Sequence, residues 1–291
     1  MLALLLILTL CGFAGNSVLC RYALEGQLID PVSFTSIRIL SGAGSLLLVS
    51  YFLRKKNSES LEPHSSGGHW KSAIALYLYA IMFSLAYRSL GSGTGALILF
   101  GVVQLVMLLA GFIKGERLSR LQWLSFGIAV TGFVYLLSPG ISVPDLTGAL
   151  LMGIAGGAWA YYTIMGKESQ EPVLMTRENF LRACPMAIVV SLASLKLVSW
   201  TPQGLVVATL SGATTSGLAY TLWYLVLPKL KTSQAAILQL LVPLLATLGG
   251  VLFIGETFTA RVAISTVFIL GGVLLSVKGK SAHVSKSAKP T

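Results

Sequence analysis

Residues 90–137 read LGSGTGALILFGVVQLVMLLAGFIKGERLSRLQWLSFGIAVTGFVYLL, and residues 230–277 read LKTSQAAILQLLVPLLATLGGVLFIGETFTARVAISTVFILGGVLLSV. At an offset of 140 the two align without a gap. Leu90 meets Leu230, Ala96 meets Ala236, Leu105 meets Leu245, Leu108 meets Leu248 and Gly132 meets Gly272. Gly115-Glu116 meets Gly255-Glu256, each pair falling between two long apolar runs. Identities are sparse, but the apolar runs and their breaks coincide, which is the mark of a duplicated unit. Counted outward from these segments, each unit holds five apolar runs. Five is odd, so the second copy enters a membrane upside down relative to the first. Inverted repeats around a central site are how many secondary transporters build alternating access.

Composition places the whole chain in a bilayer. Hydrophobic residues make up 55% and charged residues 11%, and the mean hydropathy is +0.80. A crossing helix needs roughly 20 apolar residues. Ten such spans are read at 2–22, 33–53, 72–88, 93–113, 121–138, 146–166, 178–197, 204–227, 233–253 and 261–278. They are helices because lipid offers backbone groups no hydrogen-bond partner, and runs this continuously apolar lack the alternation of a barrel strand. The fold class is therefore an all-α membrane protein of ten transmembrane helices in two inverted five-helix repeats. Residues 1–140 form the first repeat, 141–280 the second, and 281–291 a disordered cytoplasmic tail. The Pro/Gly/Ser-rich stretch 138–145 joins the repeats, and the long 54–71 loop is expected to be mobile. Leu8-Thr9-Leu10-Cys11-Gly12 resembles a lipoprotein cleavage box, but no basic segment precedes the apolar run. Residues 2–22 are read as the first span of the symmetric set.

Net charge is +11, and its placement sets the topology. With the N-terminus inside, cytoplasmic loops and the tail carry fifteen of the 21 basic residues, including Arg54, Lys55, Lys56, Lys114, Arg117 and Lys280. The opposite side holds Arg21, Arg88, Lys196 and Arg261. The positive-inside rule puts both termini in the cytoplasm of a bacterial inner membrane. The basic tail is a topology signal and not a nucleic-acid surface. Cys11, Cys20 and Cys184 are scattered and match no disulfide framework or metal spacing. No cofactor or metal is called for. An intramembrane enzyme would require a cluster of Asp, His or Cys near an interface, and the sequence has none, so the protein is read as a non-enzyme.

Gly115-Glu116-Arg117-Leu118-Ser119, then Gln122-Trp123, Gly127 and Gly132, resembles the hallmark after the fourth helix of the EamA family of the drug/metabolite transporter superfamily. Gly255-Glu256-Thr257 is similar to the second-repeat hallmark. Asp30-Pro31 followed by Arg38 resembles the start of the family's second helix, and Gly157-Ala158-Trp159-Ala160 looks like its sixth. The resemblance spans nearly the whole chain. It implies a ten-helix inner-membrane carrier with a central cavity, usually an exporter of amino acids or other small metabolites. The aromatic amino-acid exporters are nearest on chemistry. One departure is visible: many members carry a proline midway along the fourth helix, where this chain reads Val102-Val103-Gln104, whereas the ninth keeps Pro243.

Polar groups at membrane depth are costly and default to functional candidates. Asn16, Gln104 and Gln239 are such residues, each with the competing role of bonding one helix to another. Ser211, Thr214, Thr215 and Ser216 are assigned to their own helix backbone. Tyr79 and Trp159 are placed deep, as lining for an apolar or aromatic solute, while Trp70, Trp123, Trp200 and Tyr224 are assigned to the membrane interfaces. Arg38 and Arg182, each a turn or two into the second helix of its unit, are candidates for a substrate carboxylate or phosphate, with snorkelling as the alternative. The substrate-binding set is thus Asn16, Arg38, Tyr79, Gln104, Trp159, Arg182 and Gln239. Every acid and histidine falls in a loop or at a span end, so movement down the substrate gradient or exchange, without obligatory proton coupling, is expected. Gly101, Pro185 and Pro243 mark places where helices can bend.

The function these features point to is alternating-access export of small metabolites, with aromatic or other neutral amino acids first. A carrier for phosphorylated metabolites or drugs, or a non-transporting helical scaffold, are the alternatives. The partners are a small-molecule substrate and the lipid bilayer.

Overall fold

In the computed structural model, the described residues are 2–56, 69–113, 120–137, 143–166, 171–226, 238–239 and 241–287. Among them are ten helices. They are α1 (Leu2–Glu25), α2 (Pro31–Lys56), α3 (Trp70–Ala86), α4 (Ser92–Ile113), α5 (Arg120–Leu137), α6 (Leu146–Gly166), α7 (Pro172–Ala193), α8 (Pro202–Val226), α9 (Leu241–Ile254) and α10 (Ala260–Ser287). Four of them, α1, α2, α6 and α8, are long and apolar enough on length and composition alone to cross a bilayer, and the others contain shorter apolar segments. The chain is a multi-pass membrane protein. The Gly115-Glu116 hallmark, most of the 54–71 loop and the start of the 138–145 linker lie outside the described residues.

Two helix positions differ from the sequence reading. Helix α7 begins at Pro172 and not near 178. The charges of Arg177 and Glu178 suggested a loop there, but they pair with each other at 2.7 Å within the first turns, and proline suits a first helical position. Helix α10 continues to Ser287, past the expected end near 278 and into the stretch read as a disordered tail. No proline interrupts the chain before Pro290.

Helix starts follow from local chemistry. Asp30 Oδ1 accepts the amides of Val32 (3.0 Å) and Ser33 (2.9 Å) to cap α2. Thr201 caps α8 by accepting the Gly204 amide at 3.0 Å. The two caps also meet. Asp30 Oδ2 accepts the Ser199 amide at 3.1 Å, and the Thr201 hydroxyl donates to Leu28 O at 2.9 Å. The α1–α2 and α7–α8 connections are thereby clasped at one end of the bundle.

Lipid tails are as apolar as the side chains, so helices associate through close packing of small residues. A Cβ added to Gly12 on α1 would sit 2.6 Å from the Ala219 Cβ on α8. One added to Gly132 on α5 would come within 2.8 Å of Phe268 and Ile269, and one added to Gly272 on α10 would lie 2.7 Å from Ser125 O on α5. Gly44, Gly153, Gly157 and Gly271 face open space and hold no such contact. The main packing pairs are α5 with α10, α3 and α4 with α6, α8 and α9 with α1, α2 with α7 and α8, α3 with α7, and α4 with α9.

Candidate substrate site

At the centre of the bundle lies Arg38, 1% exposed. Helix α2 carries it two turns past the Asp30 cap. Its Nε donates to Ser216 Oγ at 2.9 Å, and its Nη2 donates to the hydroxyls of Tyr79 (3.1 Å) and Tyr220 (3.3 Å). The guanidinium carbon stands 5.3 Å from the Tyr79 ring centre and 5.0 Å from that of Phe83. Nη1 has no hydrogen-bond partner. Among the described residues, every group that bonds to or stacks on the guanidinium is a hydroxyl or an aromatic ring, and none is a carboxylate. A buried charge held this way is costly unless something pairs with it.

The surroundings have more donors than acceptors. Asn16 Nδ2 on α1 donates to the Tyr79 hydroxyl oxygen at 3.2 Å, and the Tyr220 hydroxyl donates to it at 3.3 Å. With Arg38 Nη2, three donors address one oxygen that has two lone pairs. Trp159 Nε1 is buried and also unpaired. Its ring centre lies 4.8 Å from Tyr79, 4.9 Å from Tyr220 and 5.6 Å from Tyr162, and Phe13 packs edge-on against it at 6.3 Å.

A π-helical segment of α8, Ser211–Leu218, supplies the remaining hydroxyls. Its i→i+5 bonding brings residues five apart onto one face. Ser211 donates to Asn16 Oδ1 at 3.0 Å, Thr215 reaches the same oxygen at 3.3 Å, and Ser216 takes the Arg38 bond. The sequence reading gave these hydroxyls to their own helix. That holds for Thr214, which donates to Leu210 O at 2.6 Å, and for Thr215, whose shorter bond is to Ser211 O at 2.7 Å, while Ser211 and Ser216 reach neighbouring helices.

Four of the sequence candidates therefore sit together: Asn16, Arg38, Tyr79 and Trp159. Arg182 does not join them. It pairs along its own helix with Glu178 at 3.5 Å and is partly exposed. Gln104 is half-buried on α4, and Gln239 is buried just ahead of α9. Neither contributes a hydrogen bond to the Arg38 cluster. Tyr224, assigned to an interface, is instead buried at 3% exposure, while Trp70, Trp123 and Trp200 are exposed.

A second alignment in the sequence sets Asn179 against Arg38. Asp30-Pro31-Val32, Thr35 and Arg38 align with Glu171-Pro172-Val173, Thr176 and Asn179 at an offset of 141. Thr35, Thr176 and Asn179 are fully buried, as Arg38 is.

A second feature lies where α1 and α3 end and α4 begins. Both Glu256 oxygens accept the Ser92 amide at the start of α4 (2.9 and 3.0 Å), and Arg21 Nε reaches Glu256 at 3.3 Å. Arg21 also bonds the carbonyls of Tyr87 and Arg88, each at 3.1 Å, and pairs with Glu25 at 2.8 Å. Gly255 makes the turn possible with a φ of 78°. A cavity of about 400 Å³ opens beside this latch, lined by Arg21, Glu25, Thr247, Glu256 and Phe258 among others. The Gly255-Glu256 hallmark thus ties elements together.

The model of the EamA-like transporter family matches residues 1–138 and 146–278. The chain is 45% identical over 272 residues to an uncharacterised protein of Pseudomonas aeruginosa, covering 94% of this chain and 93% of that one. It is 32% identical over 170 residues to the threonine/homoserine exporter of Escherichia coli strain K12, covering 56% of this chain and 55% of that one. A solved crystal structure shares the fold at a TM-score of 0.60 and 18% identity, over 92% of this chain and 96% of the other.

Proposed function

The chain belongs to the EamA-like transporter family, and from that premise we propose that it exports neutral amino acids, aromatic or other, across the bacterial inner membrane. The observation that carries the substrate reading is Arg38: buried, uncompensated, and with Nη1 unpartnered. A substrate α-carboxylate supplies the missing acceptor and the missing negative charge, and arginine matches its planar geometry. The α-ammonium rests against the faces of Tyr79 and Trp159, where the ring quadrupole attracts a cation. The threonine/homoserine exporter among the relatives supports the amino-acid class.

The mechanism is alternating access between two inverted five-helix repeats. Exchanging α1–α5 for α6–α10 maps the main packing pairs onto one another: α3 with α6 becomes α8 with α1, and α4 with α6 becomes α9 with α1. Under the same exchange α2–α7, α4–α9 and α5–α10 map onto themselves. The family match divides at the same place. Both termini are cytoplasmic by the positive-inside rule, which puts the Arg21–Glu256 latch and its cavity on the external side. With Arg38 and Asn16 held by hydroxyls and aromatics from α1, α2, α3, α6 and α8, the described state is closed around the site. Rocking one repeat against the other opens it to each side in turn. Among the described residues no carboxylate contacts Arg38 to relay a proton, in keeping with transport down the substrate gradient or by exchange.

Counterflow in proteoliposomes with a panel of labelled neutral amino acids tests this. Saturable flux by the wild-type protein, lost in a folded Arg38→Gln variant, is expected. Equal flux in that variant, or no flux from folded wild-type protein for any panel member, refutes the substrate reading. Uphill accumulation driven by a pH jump refutes the uncoupled mechanism.

A further inference from the structure

The aromatic core has a second polar pole. Asn179 on α7 is fully buried, and neither its amide oxygen nor its amide nitrogen makes a hydrogen bond. The Tyr162 hydroxyl on α6 lies beside it, with the Thr176 and Tyr224 hydroxyls close by, and is likewise without a well-aligned bond. Buried amides are nearly always satisfied, and a free donor and acceptor side by side require an explanation. Asn179 occupies in its repeat unit the place that Arg38 holds in the other, by the alignment of Asp30-Pro31-Val32 with Glu171-Pro172-Val173. The two poles share one stack of rings, Arg38 to Tyr79 and Tyr220, then to Trp159, then to Tyr162.

Resting on the amino-acid reading above, we infer that Asn179 and Tyr162 bind the far end of the substrate and select a side chain ending in a hydroxyl or carboxamide. Two arguments fix this chemistry. First, a donor and an acceptor offered together match a group that also offers both, whereas an ammonium or a carboxylate would leave one of them empty. Second, the poles are too far apart for the two groups on one α-carbon. Arg38 reaches Tyr79 and Tyr220, and the Trp159 ring, 4.8 Å from Tyr79 and 4.9 Å from Tyr220, stands between them and Tyr162 at 5.6 Å, a longer reach than separates an α-carboxylate from its own ammonium. The side chain spans the difference. Selection is strong because a methyl group at this position leaves the buried amide unpaired, and sites built to bond a hydroxyl reject analogues that lack it.

The test is equilibrium binding to the purified full-length protein, read by intrinsic tryptophan fluorescence, with L-homoserine and its isostere L-norvaline as probes. Wild-type protein is expected to bind homoserine at least ten-fold more tightly than norvaline. Asn179→Leu is expected to bring the ratio close to one by weakening homoserine, and Tyr162→Phe to reduce it in the same direction. Equal wild-type affinities for the two probes overturn the inference and leave the carboxylate site standing, and this comparison needs no variant to fold. An unchanged ratio in Asn179→Leu also overturns it. Failure of both probes to bind wild-type protein overturns the amino-acid reading and this inference with it.

Discussion

Glu256 is the side chain whose removal should be felt most at the latch. Its carboxylate takes the Ser92 amide at the N-terminus of α4 and meets Arg21, with both side chains largely buried at 16% and 12% exposure. A hydrogen bond to a charged group contributes about 1.5–3 kcal/mol. The negative charge at a helix N-terminus adds about 0.3–1 kcal/mol. The arginine pair adds at most about 1 kcal/mol, because Arg21 keeps Glu25 and two carbonyls when Glu256 is lost. Glu256→Ala should therefore cost about 3 kcal/mol. At roughly 2–4 °C per kcal/mol for a chain of this size, the melting temperature falls by about 8 °C. Glu256→Gln keeps an acceptor for Ser92 and should lose about half as much. The assay is thermal unfolding in detergent followed by size-exclusion chromatography. A Glu256→Ala melting temperature within about 1 °C of wild type would show that the latch does not hold these elements together.

Other consequences can be checked on the same preparations. Gly12→Val drives a Cβ into the contact with Ala219, 2.6 Å away, and should abolish folded protein, whereas Gly153→Ala meets open space and should leave the elution profile unchanged. Tyr79→Phe removes the oxygen shared by Asn16, Arg38 and Tyr220. It should weaken substrate affinity by about ten-fold, the effect of one buried hydrogen bond of about 1.4 kcal/mol, measured by fluorescence titration. Asp145 lies outside the spans, and hydrogen bonds from the Gly148 amide and then the Ser89 hydroxyl hold its carboxyl below the ordinary value of 3.8. Its folded value is depressed, so its contribution is complete above 3.8 and is lost as pH falls through the depressed value. Asp145→Asn should lower the melting temperature at neutral pH, where this contribution is complete, and change it little below the depressed value, which flattens the acid limb of the profile.

The sequence made the helices readable because each apolar run is bounded by loops rich in charge, glycine or proline. The run at α7 misled because Arg177 and Glu178 looked like a loop, although Pro172 is a typical helix opener and the pair neutralises itself. Arg182 stands apart from the Arg38 cluster, paired with Glu178 four residues earlier on its own helix. Arg38 has no acid within a turn, and that distinguishes the two. Gly132 and Gly272, matched at an offset of 140, both pack across the α5–α10 seam. The roles of Ser211 and Ser216 were hidden because they depend on a local π-helical winding, which changes the direction a hydroxyl points without changing composition. Asn179 was hidden because its meaning lies in its alignment with Arg38 and in hydrogen bonds that are absent.

The account turns on a carboxylate meeting Arg38, and the most direct measurement compares an amino acid with its own amine. Ligand-dependent thermal stabilisation of the wild-type protein should appear with L-homoserine and be absent with the decarboxylated 3-aminopropanol at the same concentration. In Arg38→Gln the stabilisation by L-homoserine should disappear. Equal stabilisation by the amine, or stabilisation by homoserine that survives in Arg38→Gln, would contradict the account, because the buried guanidinium would then have no part in holding the substrate.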